Sequence, residues 1–273
     1  MGSLPGQRRA LRSCTEATYR RSVEGPEGAD DYEPERYWAS RLSESYTLSG
    51  TGHAHYNEAY NAWLYRAKRR ALRAALTELP PVASTRGRAL DIGSGTGWVV
   101  TQLEQSGWTA DGCDIAPLAV EQLAQSHPTA QFTRWSWGDG ALEELDESRE
   151  LVTALDVAYH VVDEDEFVAG VEELARVLTT DGHLIVTDGL GAESSHPAAH
   201  VRFRSRDRWL EVTVPAGLTL VTIRPVYGWL SRDRPTTPRL SRLPDGPRGA
   251  LEYALDRLVP RSPHIRMATF RKH

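Results

Sequence analysis

Lysine is nearly missing from this chain. Of its 32 basic residues only Lys68 and Lys272 are lysines, and the other 30 are arginine. GC-rich coding accounts for such a bias, and arginine also suits carboxylate and phosphate recognition. Cysteine is as scarce: Cys14 and Cys113 lie far apart and match no metal or redox spacing, so a disulfide framework is excluded. No apolar run approaches the ~18–20 residues that span a bilayer. The opening MGSLPGQRRALRSCTEATYRR has no apolar core of signal-peptide length, which points to the cytoplasm. Asp, Glu and His nowhere cluster with ligand spacing, so no catalytic metal is expected.

What is present is a globular composition, 40% hydrophobic and 25% charged over 273 residues. That length suits one domain with appendages. Charge is unevenly spread. Residues 201–273 carry 15 basic and 6 acidic residues, or +9, whereas residues 1–200 carry 17 and 31, or −14. Such an asymmetry marks either an anionic partner or an uneven solvated surface.

Residues 1–34 are polar and Gly/Pro/Glu-rich without an apolar period, and read as a mobile arm. From residue 35 to 81 the texture becomes helical. Tyr60, Trp63, Leu64, Ala67, Ala71, Ala74 and Ala75 recur at helical spacing within 57–79, and Pro80 and Pro81 close that helix. These residues are expected to form a helical cap rich in aromatics, which either wall a pocket or hold the cap to the body. Beyond residue 82 short apolar strands alternate with helices: strands at 88–92, 109–114, 130–134, 151–156 and 183–188, helices at 97–106, 117–126 and 165–178. The alternation predicts βαβ units and a parallel sheet covered on both faces. Two further strand-like segments are 218–225 and 265–271. The RFRSRDRW stretch at 202–209, with arginine at every second position, suits one face of a strand or the approach to a helix, and offers a grip for an anionic acceptor.

The most informative stretch is ALDIGSGTGWVV, residues 89–100. A strand ends in Asp91, a turn follows through Gly93, Ser94, Gly95, Thr96 and Gly97, and a helix begins. In an open α/β sheet ligands bind at the carboxyl ends of the strands, and glycines there let the backbone approach closely. The spacing is neither the dinucleotide fingerprint nor a phosphate-binding loop. Asp91 sits where a carboxylate could receive an ammonium group. Asp114 ends the second strand 21 residues after Gly93, placed to accept both ribose hydroxyls of a nucleoside. Asp139, after the third strand, is placed to meet an adenine amino group.

These residues resemble the class I S-adenosylmethionine-dependent methyltransferases. DIGSGTG matches that family's D/E-x-G-x-G-x-G motif, CDIAP its second-strand acid region, and LDVAYHVVDEDEF with LARVLTTDGHLIVTD its fourth-strand to fifth-strand signature. The turn Thr180-Asp181-Gly182 lacks the proline common there. The resemblance implies a Rossmann-like seven-stranded, mostly parallel sheet with helices on both faces, over residues 82–273. It implies S-adenosyl-L-methionine as cofactor, with Asp91, Gly93, Ser94, Gly95 and Gly97 around its methionine part. Asp114 would hold the ribose, Ile115 pack on adenine, Asp139 bond the adenine, and Asp156 and Val157 line the pocket near the sulfonium.

Methyl transfer from a sulfonium chiefly requires alignment of the nucleophile. A hydroxyl nucleophile also gains from a base, and His160, just past the fourth strand, is the candidate; His196 and His200 lie in the loop past the fifth. Asp156-Val157-Ala158-Tyr159 stands where an Asn-Pro-Pro-Tyr-like tetrad would mark amino-group methylation of bases or protein, so nucleic acid is disfavoured as substrate. The leading expectation is O-methylation of a small molecule in secondary metabolism, with an anionic acceptor left open. An RNA or protein methyltransferase, or a binder of the cofactor that transfers no methyl, stands as the alternative.

Overall fold

The computed structural model describes residues 32–80, 87–140, 142, 145–231, 243–259 and 261–273. The arm expected over 1–34 therefore lies outside them up to residue 31, as does Cys14. Two helices open the described chain, α1 (Pro34–Glu44) and α2 (Glu58–Glu78). Proline at the first turn of α1 needs no amide partner there, and Asn57 caps α2 by accepting from Tyr60 N.

The alternation that follows is β1 (Arg88–Ile92), α3 (Trp98–Gln105), β2 (Thr109–Asp114), α4 (Pro117–Ser126), β3 (Phe132–Arg134), β4 (Arg149–Ala154), a single 3₁₀ turn at Ala158–His160, α5 (Glu164–Val177) and β5 (Leu178–Asp188). A small hairpin, β6 (Ser195–Ala198) and β7 (Val201–Phe203), precedes α6 (Arg206–Thr213), β8 (Leu218–Tyr227), α7 (Asp245–Leu258) and β9 (Ile265–Lys272). The RFRSRDRW stretch thus divides into a strand end and a helix start, capped by Ser205 on Arg208 N.

Seven strands form one sheet in the order β3-β2-β1-β4-β5-β9-β8. β9 alone runs antiparallel to its neighbours β5 and β8, and the remaining pairings are parallel. The order reverses between β1 and β4, the place where an open α/β sheet leaves a crevice at its carboxyl end. The Thr180-Asp181-Gly182 turn is carried inside β5. Arg149 pairs with Leu178 and Leu151 with His183, so the residues between bulge out, with Asp181 at φ +65°.

Two apolar clusters sandwich the sheet. On one face Phe167, Val171 and Leu174 of α5 and Trp209 of α6 pack on Leu90, Val152 and Leu184. On the other, Leu64, Ala67, Ala71 and Leu72 of α2 join Val100 and Leu103 of α3 against Leu151, Ile185 and Met267. Helix α2 is therefore continuous with the core of the sheet. It is α1 that packs at the edge, with Leu42 against Ala116 and Ala119 at the start of α4. Helix α7, not anticipated from the sequence, is tied to α2 by a buried polar set: Tyr60 donates to Glu252, and Arg248 donates to the same carboxylate at 2.8 Å. No helix among the described residues is long and apolar enough to cross a membrane.

Candidate active site

A cavity of about 1030 Å³, part of it open to solvent, lies at the carboxyl ends of β1, β2 and β4. Its floor is the glycine turn between β1 and α3. Gly93, Gly95 and Gly97 have φ of +68°, +52° and +77°, the left-handed region that side chains disfavour. A Cβ on Gly93 would come within 2.4 Å of Val157 Cγ2, and one on Gly95 within 2.7 Å of Thr51 Cγ2. The turn thus needs glycine both for its dihedrals and for close approach. Gly97 serves the body instead: its Cβ would strike Leu123, and it does not border the cavity. Ser94 borders the cavity while its hydroxyl donates to Asp91 O at 3.0 Å.

Asp114 ends β2 with its carboxylate buried in the wall. Oδ2 accepts from Gly95 N at 2.7 Å and Oδ1 from Ala116 N at 2.8 Å. A carboxylate has about four acceptor sites, so capacity remains beside the backbone donors for a ligand hydroxyl. Burial raises this acid's pKa, and the backbone donors work against that rise. Ile115, Trp135 and Trp137 give the same part of the cavity apolar walls. Asp139 is not in the wall. Its carboxylate accepts from Ser136 N at 2.9 Å and shapes the turn there.

Asp91 lies beneath the glycine turn, fully buried. Thr153 donates to its Oδ1 at 2.6 Å, and its Oδ2 has no hydrogen-bond partner. Burial pushes its pKa up to about 7, with Thr153 opposing. Asp156 and Val157 line the cavity at the end of β4. Asp156 adopts φ +62°, and its Oδ1 accepts from Thr187 Oγ1 at 2.9 Å. Its Oδ2 pairs with Lys68, which reaches the cavity from α2. Burial alone would raise Asp156; the Lys68 ammonium holds it below the usual carboxylate range. Sequence reasoning passed over Lys68. The signal was there, since Lys68 stands four residues from both Leu64 and Leu72, on the apolar stripe of α2.

His160 lies in the wall at the far end. Its Nδ1 is 2.8 Å from His200 O. A carbonyl only accepts, so Nδ1 carries the proton and Nε2 the lone pair. Burial lowers its pKa to about 3 and that of His200 to about 4, so both rings are neutral near pH 7. Trp38 of α1 meets His160 edge-on at 5.0 Å, and His200 stacks parallel to it at 5.6 Å. The sequence brings His200 to His160 through the β6–β7 hairpin. His196 does not border the cavity.

The arginines of RFRSRDRW do not line the cavity. Glu164 accepts from Arg202 at 3.1 Å, from Arg204 at 2.9 Å and from Arg208 at 2.8 Å. Arg204 also donates to Ala158 O at 3.0 Å and to Val161 O at 2.7 Å. These side chains pin the hairpin to the 158–163 segment instead of gripping an anion, which corrects the role the sequence offered for them. Arg232, Arg234, Arg239 and Arg242, which add to the +9 of this part, lie outside the described residues. No group of three or more His, Cys, Asp or Glu able to hold a metal occurs among the described residues.

The cofactor implied by the motif fits these residues. A nucleoside needs hydroxyl acceptors and a flat apolar slot, which Asp114, Ile115 and the two tryptophans offer. A methionyl end needs close backbone approach and polar partners, found in Gly93 and Gly95 and the Lys68–Asp156 pair; Asp91, fully buried beneath the turn, does not line the cavity.

Comparison with known proteins gives the same answer at the level of the domain. Residues 90–186 match the family model described as a methyltransferase domain. No curated relative matches the sequence. Among solved structures, a TehB-like SAM-dependent methyltransferase from Corynebacterium glutamicum is similar, with TM-score 0.51, 17% identity, and coverage of 88% of this chain and 98% of its own. Magnesium protoporphyrin IX methyltransferase from Synechocystis with bound SAM gives TM-score 0.55 at 14% identity, covering 88% and 95%. The [4+2]-cyclase SpnF gives 0.53 at 20%, covering 76% and 81%. At such identities the structural likeness concerns the fold.

Proposed function

We propose that the chain, whose residues 90–186 match a methyltransferase-domain model, is an S-adenosylmethionine-dependent methyltransferase that methylates a hydroxyl oxygen of a small, uncharged acceptor, with His160 as general base. The observation that carries this is the His160–His200 bond: a half-buried, neutral imidazole whose one free lone pair is on Nε2, in the cavity wall. S-adenosylmethionine supplies an electrophilic methyl on a sulfonium. The residues around it have three tasks. Asp114 and the glycine turn hold the nucleoside and methionyl parts. Trp38, Trp98 and the other wall aromatics keep water from the reaction and favour a flat acceptor. His160 Nε2 accepts the hydrogen bond of the acceptor hydroxyl and so orients its oxygen.

A nitrogen of pKa about 3 is a weak base. It suffices here because a hydroxyl oxygen that is forming a third bond becomes strongly acidic, and its proton then passes to Nε2. Among the described residues Lys68 is the one Lys or Arg in the cavity wall, and Asp156 already neutralises it, which favours an uncharged acceptor. The proposal extends to a tailoring step of secondary metabolism in the cytoplasm. The test is incubation with S-adenosylmethionine and a panel of small phenols and alcohols, read by mass spectrometry. The expected result is a product heavier by CH₂ together with S-adenosylhomocysteine. Methylation of RNA or protein with none on the panel, or cofactor binding without transfer to any acceptor, would overturn it.

A further inference from the structure

Lys68 is held in an unusual setting for a lysine. Its side chain is 6% exposed, its Nζ lies 4.0 Å over the Tyr65 ring, and its ion-pair partner is Asp156. Among the described residues Asp156 is the one acceptor bonded to its three donors. A buried ion pair is weak as a source of stability, because two desolvated charges cost several kcal/mol and an apolar pair of the same volume serves as well. Asp156 adds to that cost with a left-handed backbone at φ +62°, of order 1–3 kcal/mol for a residue with a side chain. Thr187 Oγ1 fixes this conformation, accepting from Asp156 N at 2.7 Å and donating to its Oδ1. Costs of this kind concentrated at a cavity wall point to a ligand.

The position of the pair says which part of the ligand. Tyr65, under the Lys68 ammonium, shares a hydrogen bond of 2.8 Å with Thr51, whose methyl group covers Gly95. Val157, next to Asp156, covers Gly93. Through Tyr65 and Thr51 on one side and Val157 on the other, the pair is thus linked to the residues that cover both close-approach glycines of the turn. The net charge of the pair is zero, and so is that of an α-amino-acid zwitterion. Inserting one into the other replaces one buried ion pair by two and leaves no charge alone.

We infer that the Lys68–Asp156 pair opens to receive the α-amino-acid end of the cofactor, Lys68 bonding its carboxylate and Asp156 its ammonium. The assignment rests on S-adenosylmethionine being the cofactor. It adds to that reading a specificity: adenosyl thioethers without the carboxylate are discriminated against at Lys68.

Calorimetric titration of the full chain tests this with three ligands. They are S-adenosylhomocysteine, its decarboxylated aminopropyl analogue, and 5′-methylthioadenosine, which lacks the whole amino-acid end. Wild type is expected to prefer S-adenosylhomocysteine to the decarboxylated analogue by roughly ten- to a hundredfold, the range for a charge-assisted contact. Lys68→Met should abolish that preference and bind 5′-methylthioadenosine within about threefold of wild type, as a contact absent from that ligand requires. A variant that weakens all three ligands equally would show a merely structural lysine and overturn the inference. Should Lys68→Met not fold, the double variant Lys68→Met, Asp156→Asn removes both charges and is read in the same way. The wild-type ligand series needs no variant, and equal affinity for S-adenosylhomocysteine and its decarboxylated analogue overturns the inference by itself. If wild type binds none of the three, the cofactor assignment falls with it.

Discussion

The two ends of the cavity are built differently. The nucleoside end comes mainly from continuous chain between Gly93 and Ile115, a glycine turn, a helix and a second strand, with Trp135 and Trp137 added from just after β3. The end around His160 is assembled from Trp38, His160 and His200, which lie far apart in sequence. The first is held by backbone geometry that only glycine tolerates. The second is held by side-chain contacts: a histidine bonded to a distant carbonyl, and three arginines drawn onto Glu164. On the proposed function, this division separates the part that holds the cofactor from the part that meets the acceptor. Each part can then be attacked separately.

The largest effect is expected at the assembled end. His160→Ala should lower turnover of the acceptor found on the panel by roughly 10²–10⁴-fold, the usual range for a general base, while affinity for S-adenosylhomocysteine stays within about twofold. Turnover at the wild-type level would remove His160 from the chemistry. At the continuous end, Gly93→Ala places a Cβ against Val157 in a left-handed conformation. It should cost on the order of 3 kcal/mol in urea unfolding. An unchanged midpoint would mean the turn relaxes freely, and the contrast between the two ends would weaken.

Acid titration sharpens the comparison further. His160 and His200 have pKa values of about 3 and about 4 in the folded chain, against an ordinary value of 6.5. Between pH 6.5 and those values the folded state binds fewer protons than the unfolded one, so stability falls as pH falls. Each of these half-buried rings contributes at most about 1.4 kcal/mol per pH unit. The raised acids Asp91 and Asp114 act oppositely, so the His share is read by difference. Wild type should lose stability more steeply than His160→Gln below pH 6.5, and parallel curves would show that burial does not hold His160 neutral. The smallest effect belongs to Asp139, whose carboxylate bonds Ser136 N outside the cavity wall. Asp139→Ala should change S-adenosylhomocysteine affinity by less than about threefold, a surface-like contribution. A tenfold loss would return Asp139 to the adenine.

Legibility in the sequence follows the same division. The glycine spacing, the acid ending β2 and the strand–helix alternation are local, so DIGSGTG and CDIAP could be read directly, whereas the strand order emerged only in the fold. The pairing of His160 with His200 could not, because it depends on a hairpin whose strands are four and three residues long, too short to show a period. Arginine at alternate positions in 202–208 looked like a surface for an anion, since spacing does not reveal that one glutamate, 38 residues from the first of them, collects three guanidinium groups. Lys68 was half legible: its place on an apolar stripe was visible, but its partner Asp156 is 88 residues away.

The measurement that bears most directly on the cofactor end is calorimetric titration of S-adenosylhomocysteine into wild type and Asp114→Ala, with folding of both checked by circular dichroism. Wild type should saturate at one site, and the variant should bind ten- to a hundredfold more weakly, or about 1–3 kcal/mol, for lost hydrogen bonds to a charged acceptor. A folded wild type that gives no saturable binding, or a variant that binds as wild type does, would contradict the account.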